Sequence, residues 1–265
     1  MNVLIVDDSA LLRGILKSVL QQHKEIVVVG EASNGQMAIE LNQKLKPDLI
    51  VMDFNMPVLN GAQATEKIMS DSPVPILIFS NENEKLLFTA LQKGAAEVMR
   101  KPNIDQLNQP QFYRQFIEKL TALGKNTSKP GSITQRISER MYNLPEAEER
   151  MAQYKMIVMG ASTGGPLAVS KLLGQLPTNL PVGIVFVQHL ESGFEQNYAQ
   201  WLQSCIALPV RIAKDCDVVS PGEVVMAPTD RHLLFSGERL RLDDGPEVMN
   251  QKPSVNLLFK SAAKV

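Results

Sequence analysis

Cysteine is nearly missing from this chain, with two residues in 265, Cys205 and Cys216. They form no CxxC pair and no histidine cluster accompanies them, so a disulfide framework or a thiolate metal knuckle is unsupported. Two reduced thiols in a cytosolic protein is the expectation. Long apolar runs are also missing. No stretch approaches the roughly 20 residues needed to cross a bilayer, and the opening run ends at once in Asp7-Asp8. That excludes a signal peptide and membrane insertion, and a cytoplasmic location is expected. An excess of either charge is lacking too. Lys and Arg number 27 against 28 Asp and Glu, a net charge of −1. A broad phosphate-tracking surface, and with it a nucleic-acid partner, is not expected. Histidine is scarce: His23, His189 and His232 are all there are.

What is present suits two ordinary globular domains, with 44% hydrophobic and 21% charged residues. Residues 1–122 alternate short apolar runs with helix-length amphipathic segments. Strands are expected at 3–6, 26–29, 48–52, 75–79 and 97–99. A helix capped by Ser9 should run to about Gln22, a second should cover 35–45, and 105–122 should close the unit. Strands with little polar alternation, separated by helices, indicate a parallel sheet covered on both faces.

The polar residues fall where those strands end. Asp7 and Asp8 follow the first, Asp53 ends the third, Ser80 the fourth and Lys101 the fifth. The carboxyl ends of an open parallel sheet share one edge, where ligands bind. Clustered carboxylates repel one another unless a cation joins them, and an oxygen-lined site of this kind suits Mg²⁺. Lys101 adds a second positive charge, and Ser80 can hydrogen-bond a phosphoryl group.

Residues 123–152 are polar and rich in turn formers, and read as a linker. A second domain, 153–265, opens with a buried-strand pattern at 156–159 and then Gly160-Ala161-Ser162-Thr163-Gly164. This fits G-x-S-x-G, in which a serine sits on a sharp strand-to-helix turn. The competing reading is a phosphate cradle, but the Walker lysine is missing and the dinucleotide spacing is wrong. A serine nucleophile needs a base within hydrogen-bond reach. His189 ends the next strand, at 181–188, on the same functional edge. His23 falls in a helix-to-strand loop, and His232 in a polar turn after Pro228-Thr229-Asp230.

The segments VLIVDDSALLR, LIVMDFNMPVLNG, ILIFS and RKP resemble the motifs of bacterial response-regulator receiver domains. The resemblance implies a flavodoxin-like fold with a five-stranded parallel sheet, in which Asp53 accepts a phosphoryl group from a chemotaxis histidine kinase. It implies Mg²⁺ held by Asp8, Asp53 and the Asn55 carbonyl, with Asp7 nearby, and phosphoryl oxygens bound by Ser80 and Lys101. Many receivers carry an aromatic switch residue where this chain has Val98.

IVMGASTGGP, VFVQHLESGF, PGEVVMAPTDRHL and KPSVNLLFKSAAK resemble the catalytic domain of CheB-type methylesterases, in that family's order. The resemblance implies a doubly wound α/β serine-hydrolase domain acting on glutamate methyl esters, and on glutamines, of methyl-accepting chemoreceptors. Ser162 would attack the ester carbonyl, and His189 would take and return the proton. The unphosphorylated receiver would cover the active-site edge, and phosphorylation at Asp53 would release it. The family's third triad member is an aspartate in an LTGMG-type segment. No such motif occurs before Val265, so a domain incomplete at its C-terminus is expected. Asp215, Asp217, Asp230, Asp243 and Asp244 are assigned turn and capping service. Two alternatives are a non-enzymatic phosphoryl acceptor and an unrelated serine hydrolase joined to a receiver.

Overall fold

The computed structural model describes residues 1–103, 109–125 and 156–265, which belong to two compact units, Met1–Lys129 and Pro130–Val265. The first unit runs β1 (Asn2–Val6), α1 (Ala10–Gln21), β2 (Val27–Ala32), α2 (Gly35–Leu45), β3 (Leu49–Met52), α3 (Gly61–Asp71), β4 (Ile76–Phe79), α4 (Glu84–Gln92), β5 (Glu97–Met99) and α5 (Pro110–Lys125). All strand pairs are parallel, in the order β2-β1-β3-β4-β5. The inner strands β3 and β4 are buried at every residue, which is why they read as unbroken apolar runs. Short polar side chains start the helices: Ser9 accepts from the Leu12 N–H, and Asn60 exchanges bonds with Gln63 in a capping box.

The expected boundary at 122 falls inside a helix. α5 continues to Lys125 because its apolar stripe does, with Phe116, Leu120 and Leu123 all buried in the core beside Phe79 and Met99. The expected start of this helix at 105 and the linker from 126 on lie outside the described residues.

The second unit runs β6 (Met156–Ala161), α6 (Gly165–Leu173), β7 (Gly183–Gln188), α7 (Glu195–Cys205), β8 (Val210–Ile212), β9 (Val224–Met226), β10 (His232–Ser236), β11 (Arg239–Asp243) and α8 (Val255–Ala262). Among the described residues, β6-β7-β9-β8 form a parallel sheet and β10-β11 an antiparallel hairpin. A two-residue turn joins the hairpin strands, and Gly237 supplies its positive φ of 59°. The core gathers Val185, Val187 and Val225 of the sheet with Leu233 and Leu240 of the hairpin and Leu258 of α8.

The expected polar turn at His232 is a correction. His232 begins β10 and is fully buried. Its Nε2 donates to the Pro246 carbonyl at 2.9 Å, and its Nδ1 accepts the Ser254 N–H at 3.0 Å. The turn signals of Pro228 to Asp230 end two residues before it, at Asp230 with φ 65°. Both ring nitrogens have backbone partners, so the imidazole is a satisfied structural group.

Candidate functional site

In the first unit, strand register sets the pocket. Val6 pairs with Met52, Met52 with Ile78, and Phe79 with Met99. Asp7, Asp53, Ser80 and Lys101 therefore follow the ends of four adjacent strands on one edge. Asp53 is 5% exposed and Asp7 2%, and Ser80 is buried too. The Asp53 backbone N–H is held by the Val6 carbonyl at 2.8 Å, and Asp53 Oδ1 accepts the Phe54 N–H at 2.7 Å. At Gly61 a Cβ would lie 2.4 Å from the Asp53 carbonyl, so glycine is needed where α3 starts against the strand end.

The Lys101 ammonium lies 2.7 Å from Asp53 and 2.8 Å from Asp7, bridging both carboxylates. Burial pushes the Asp7 carboxyl above its usual value, and the bonds from Lys101 and the Ser9 N–H offset this only in part. Burial also works against the Lys101 ammonium, but its hydrogen bonds to Asp53 and Asp7 win and hold its pKa above the usual value. Asp8 is exposed, yet ligand atoms of Asp7, Asp8 and Asp53 all lie within 4.8 Å of one another. Three carboxylates this close together, two of them already sharing an ammonium, fit a hard divalent cation. The Asn55 amide makes a short bond to Glu82, across the mouth formed by the loops after β3 and β4. Val98 is buried in β5.

In the second unit, β6 and β7 pair so that Ala161 lies opposite Gln188. The next residues on each strand are Ser162 and His189, and Ser162 Oγ stands 3.2 Å from His189 Nδ1. Ser162 is exposed and His189 half-buried. The two glycines of the serine motif do different work. Gly164 turns the chain with φ 77°. At Gly160 a Cβ would meet the Val255 side chain at 2.3 Å, so this glycine is the seat of α8. A helix N-terminus begins directly after the turn, where it favours developing negative charge. His23 caps no such arrangement; its carbonyl accepts the Ile26 N–H in the loop before β2.

Sequence reasoning missed the residues that hold the loop after His189. Thr229 donates to Glu195 at 2.6 Å and accepts the Gly193 N–H at 3.2 Å, and Asp230 takes a short bond from Ser192. The only available signal was the PTD run, which reads as a turn. The other acids serve the backbone and ion pairs nearby: Asp215 accepts the Leu242 N–H, Asp217 the Lys214 N–H, Asp243, the last residue of β11, the Gly245 N–H, and Asp244 pairs with Arg231.

Comparison with known proteins matches the two units to two families. The model described as "Response regulator receiver domain" matches residues 3–110, and "CheB methylesterase" matches residues 157–265. A protein of Methanospirillum hungatei named protein-glutamate methylesterase/protein-glutamine glutaminase 2 is 36% identical over 99% of this chain and 77% of its own length. A protein-glutamate methylesterase/protein-glutamine glutaminase of Idiomarina loihiensis is 33% identical over 99% and 79%. Among solved structures, the response regulator domain of Thermotoga maritima CheB is 34% identical, over 47% of this chain and 96% of that one, with a TM-score of 0.44.

Proposed function

We propose that this chain, which belongs to the family of CheB methylesterases that carry a receiver domain, hydrolyses glutamate methyl esters of chemoreceptors and deamidates their glutamines under control of phosphorylation at Asp53. The observation that carries the hydrolytic half is the 3.2 Å contact of Ser162 Oγ with His189 at an exposed strand edge. As Ser162 Oγ attacks the γ-carbonyl, the ring nitrogen facing it takes the hydroxyl proton. Collapse of the tetrahedral adduct breaks the bond to methoxide, or to the amide nitrogen, and the imidazolium returns the proton. Methanol or ammonia leaves behind an acyl-serine. Water, deprotonated by the same ring, then releases the glutamate and restores the serine.

In the receiver, Asp53 is the proposed acceptor of a phosphoryl group from a chemotaxis histidine kinase in the cytoplasm. Asp8, Asp53 and the Asn55 carbonyl would hold Mg²⁺, with Asp7 beside them; the ion would neutralise charge around the phosphoryl group. Lys101 already contacts Asp53, and it and Ser80 are the groups positioned to bind phosphoryl oxygens. No helix among the described residues is long and apolar enough to cross a membrane. The test is methanol release from methylated receptor membranes. A small phosphodonor with Mg²⁺ should raise the rate, and Asp53→Asn should remove that response. A rate indifferent to phosphodonor would overturn the regulatory half, and no methanol release would overturn the hydrolytic half.

A further inference from the structure

The residue before His189 is a glutamine whose side chain is 1% exposed. Side chains alternate along a strand, so Gln188 points away from its neighbour's face and lies beneath the turn that carries Ser162. Its Nε2 donates to the Ser162 carbonyl at 2.9 Å and to the His189 carbonyl at 3.2 Å. One amide thus grips the backbone of both members of the pair. The Ser162 carbonyl also accepts the Gly165 N–H at 2.7 Å, and the His189 N–H donates to the Ala161 carbonyl at 2.9 Å. The bonds from Gln188 to Ser162 and from His189 to Ala161 cross between the two strand ends, and the others brace the turn and the strand end on either side, so the two ends form one frame.

Space is reserved for this amide. A Cβ on Gly165 would stand 2.3 Å from Gln188 Oε1 and 2.8 Å from its Nε2. Oε1 itself is buried and has no hydrogen-bond partner among the described residues. Leaving a buried acceptor without a partner destabilises the fold. A leucine or methionine would fill the site without that cost, so core packing alone does not account for a glutamine here. The orientation of the amide follows from its donors: both carbonyls need N–H groups, which leaves oxygen on the orphan side.

We propose that Gln188 is a positioning residue for the hydrolytic reaction: its two donors fix the distance between the Ser162 hydroxyl and the His189 ring. The inference rests on the hydrolase reading above. Gln188 touches neither substrate nor reacting atoms. It acts through the backbone of the two residues that do.

The test uses the full chain and phenylmethanesulfonyl fluoride, which labels a serine activated by a neighbouring base. The rate of Ser162 labelling is read by mass, and the ring signals of ¹⁵N-labelled histidines by NMR. Gln188→Met keeps the length and removes both donors. Labelling should slow by about 10- to 100-fold, the scale of an ångström-level misplacement. The His189 Nδ1 signal should move while that of His232, remote in the hydrogen-bond network, stays as an internal check on the fold. Gly165→Ala keeps the amide but presses a methyl onto it, and should slow labelling in the same direction by less. Together the two losses should fall short of their product, because the second change finds no aligned amide to disturb. An unchanged rate and His189 signal in folded Gln188→Met overturns the inference. Should that variant not fold, the same null result in Gly165→Ala overturns it. Absence of Ser162 labelling in the unsubstituted chain overturns the hydrolase reading instead.

Discussion

The two candidate sites occupy the same place in two parallel sheets, yet they keep their polar groups in opposite conditions. Asp7, Asp53 and Ser80 are buried at the edge of the first sheet, and their charge is held in check by Lys101. Ser162 stands open at the edge of the second, with a half-buried imidazole beside it. An acceptor that must hold a phosphoryl group gains from a preset, crowded pocket. A nucleophile that must meet an ester on another protein needs access. The shared edge supplies position, and burial decides what chemistry that position suits.

Substitutions sharpen this contrast. The largest effect is expected at the open site. Ser162→Ala should lower methanol release by about 10⁴-fold or more, equivalent to at least ~5.5 kcal/mol of barrier. It should leave phosphoryl uptake from a small phosphodonor unchanged, as followed by mass. Uptake lost along with hydrolysis would break the separation of the two sites.

The histidines give the next test. His232→Phe leaves the Ser254 N–H and the Pro246 carbonyl unpartnered and should cost about 2–4 kcal/mol of stability. His189→Phe should cost far less stability and remove hydrolysis. Denaturant unfolding of the second unit beside an activity assay separates them.

Within the buried cluster, two changes should act in opposite directions. Lys101→Met strips both carboxylates of their cation and should destabilise the first unit by about 1–3 kcal/mol. Asp7→Asn should raise its melting temperature in metal-free buffer. The folded-state pKa of Asp7 is raised, so its ionised form opposes folding at neutral pH, and that penalty fades as pH falls through the folded value. The gain from Asp7→Asn should therefore shrink on acidification. A gain that grows with acid would contradict the burial account.

The smallest effect is at Val58, an exposed β-branched residue held at φ 70°. Val58→Gly should relieve the steric cost of that backbone and stabilise the first unit by about 0.5 kcal/mol, after the entropy of the new glycine is subtracted. Chemical denaturation measures it.

Much of this was legible in the sequence because parallel sheets announce themselves twice. Apolar runs such as Leu49–Met52 mark the strands, and polar residues directly after them mark the edge. The pairing of Ser162 with His189 followed from the same rule, since each comes one residue past a strand. Other features were not legible, because they depend on contacts distant in the chain. His232 reads as a turn residue until Pro246 and Ser254 are brought to it. The Thr229–Glu195 bond joins residues that no periodicity connects. The extension of α5 to Lys125 was missed because a glycine and a lysine follow Leu123, while the decisive fact was that Leu123 is buried.

The seat of Val255 on Gly160 has a consequence for synthesis. Strand β6 leads into Ser162, the proposed nucleophile, and is made well before α8. The nucleophile strand therefore leaves the ribosome without its brace and receives it only after the sheet and hairpin between them have emerged. Loop closure over so long a separation is slow. A nascent chain would accordingly seat the turn that carries Ser162 only once α8 has emerged.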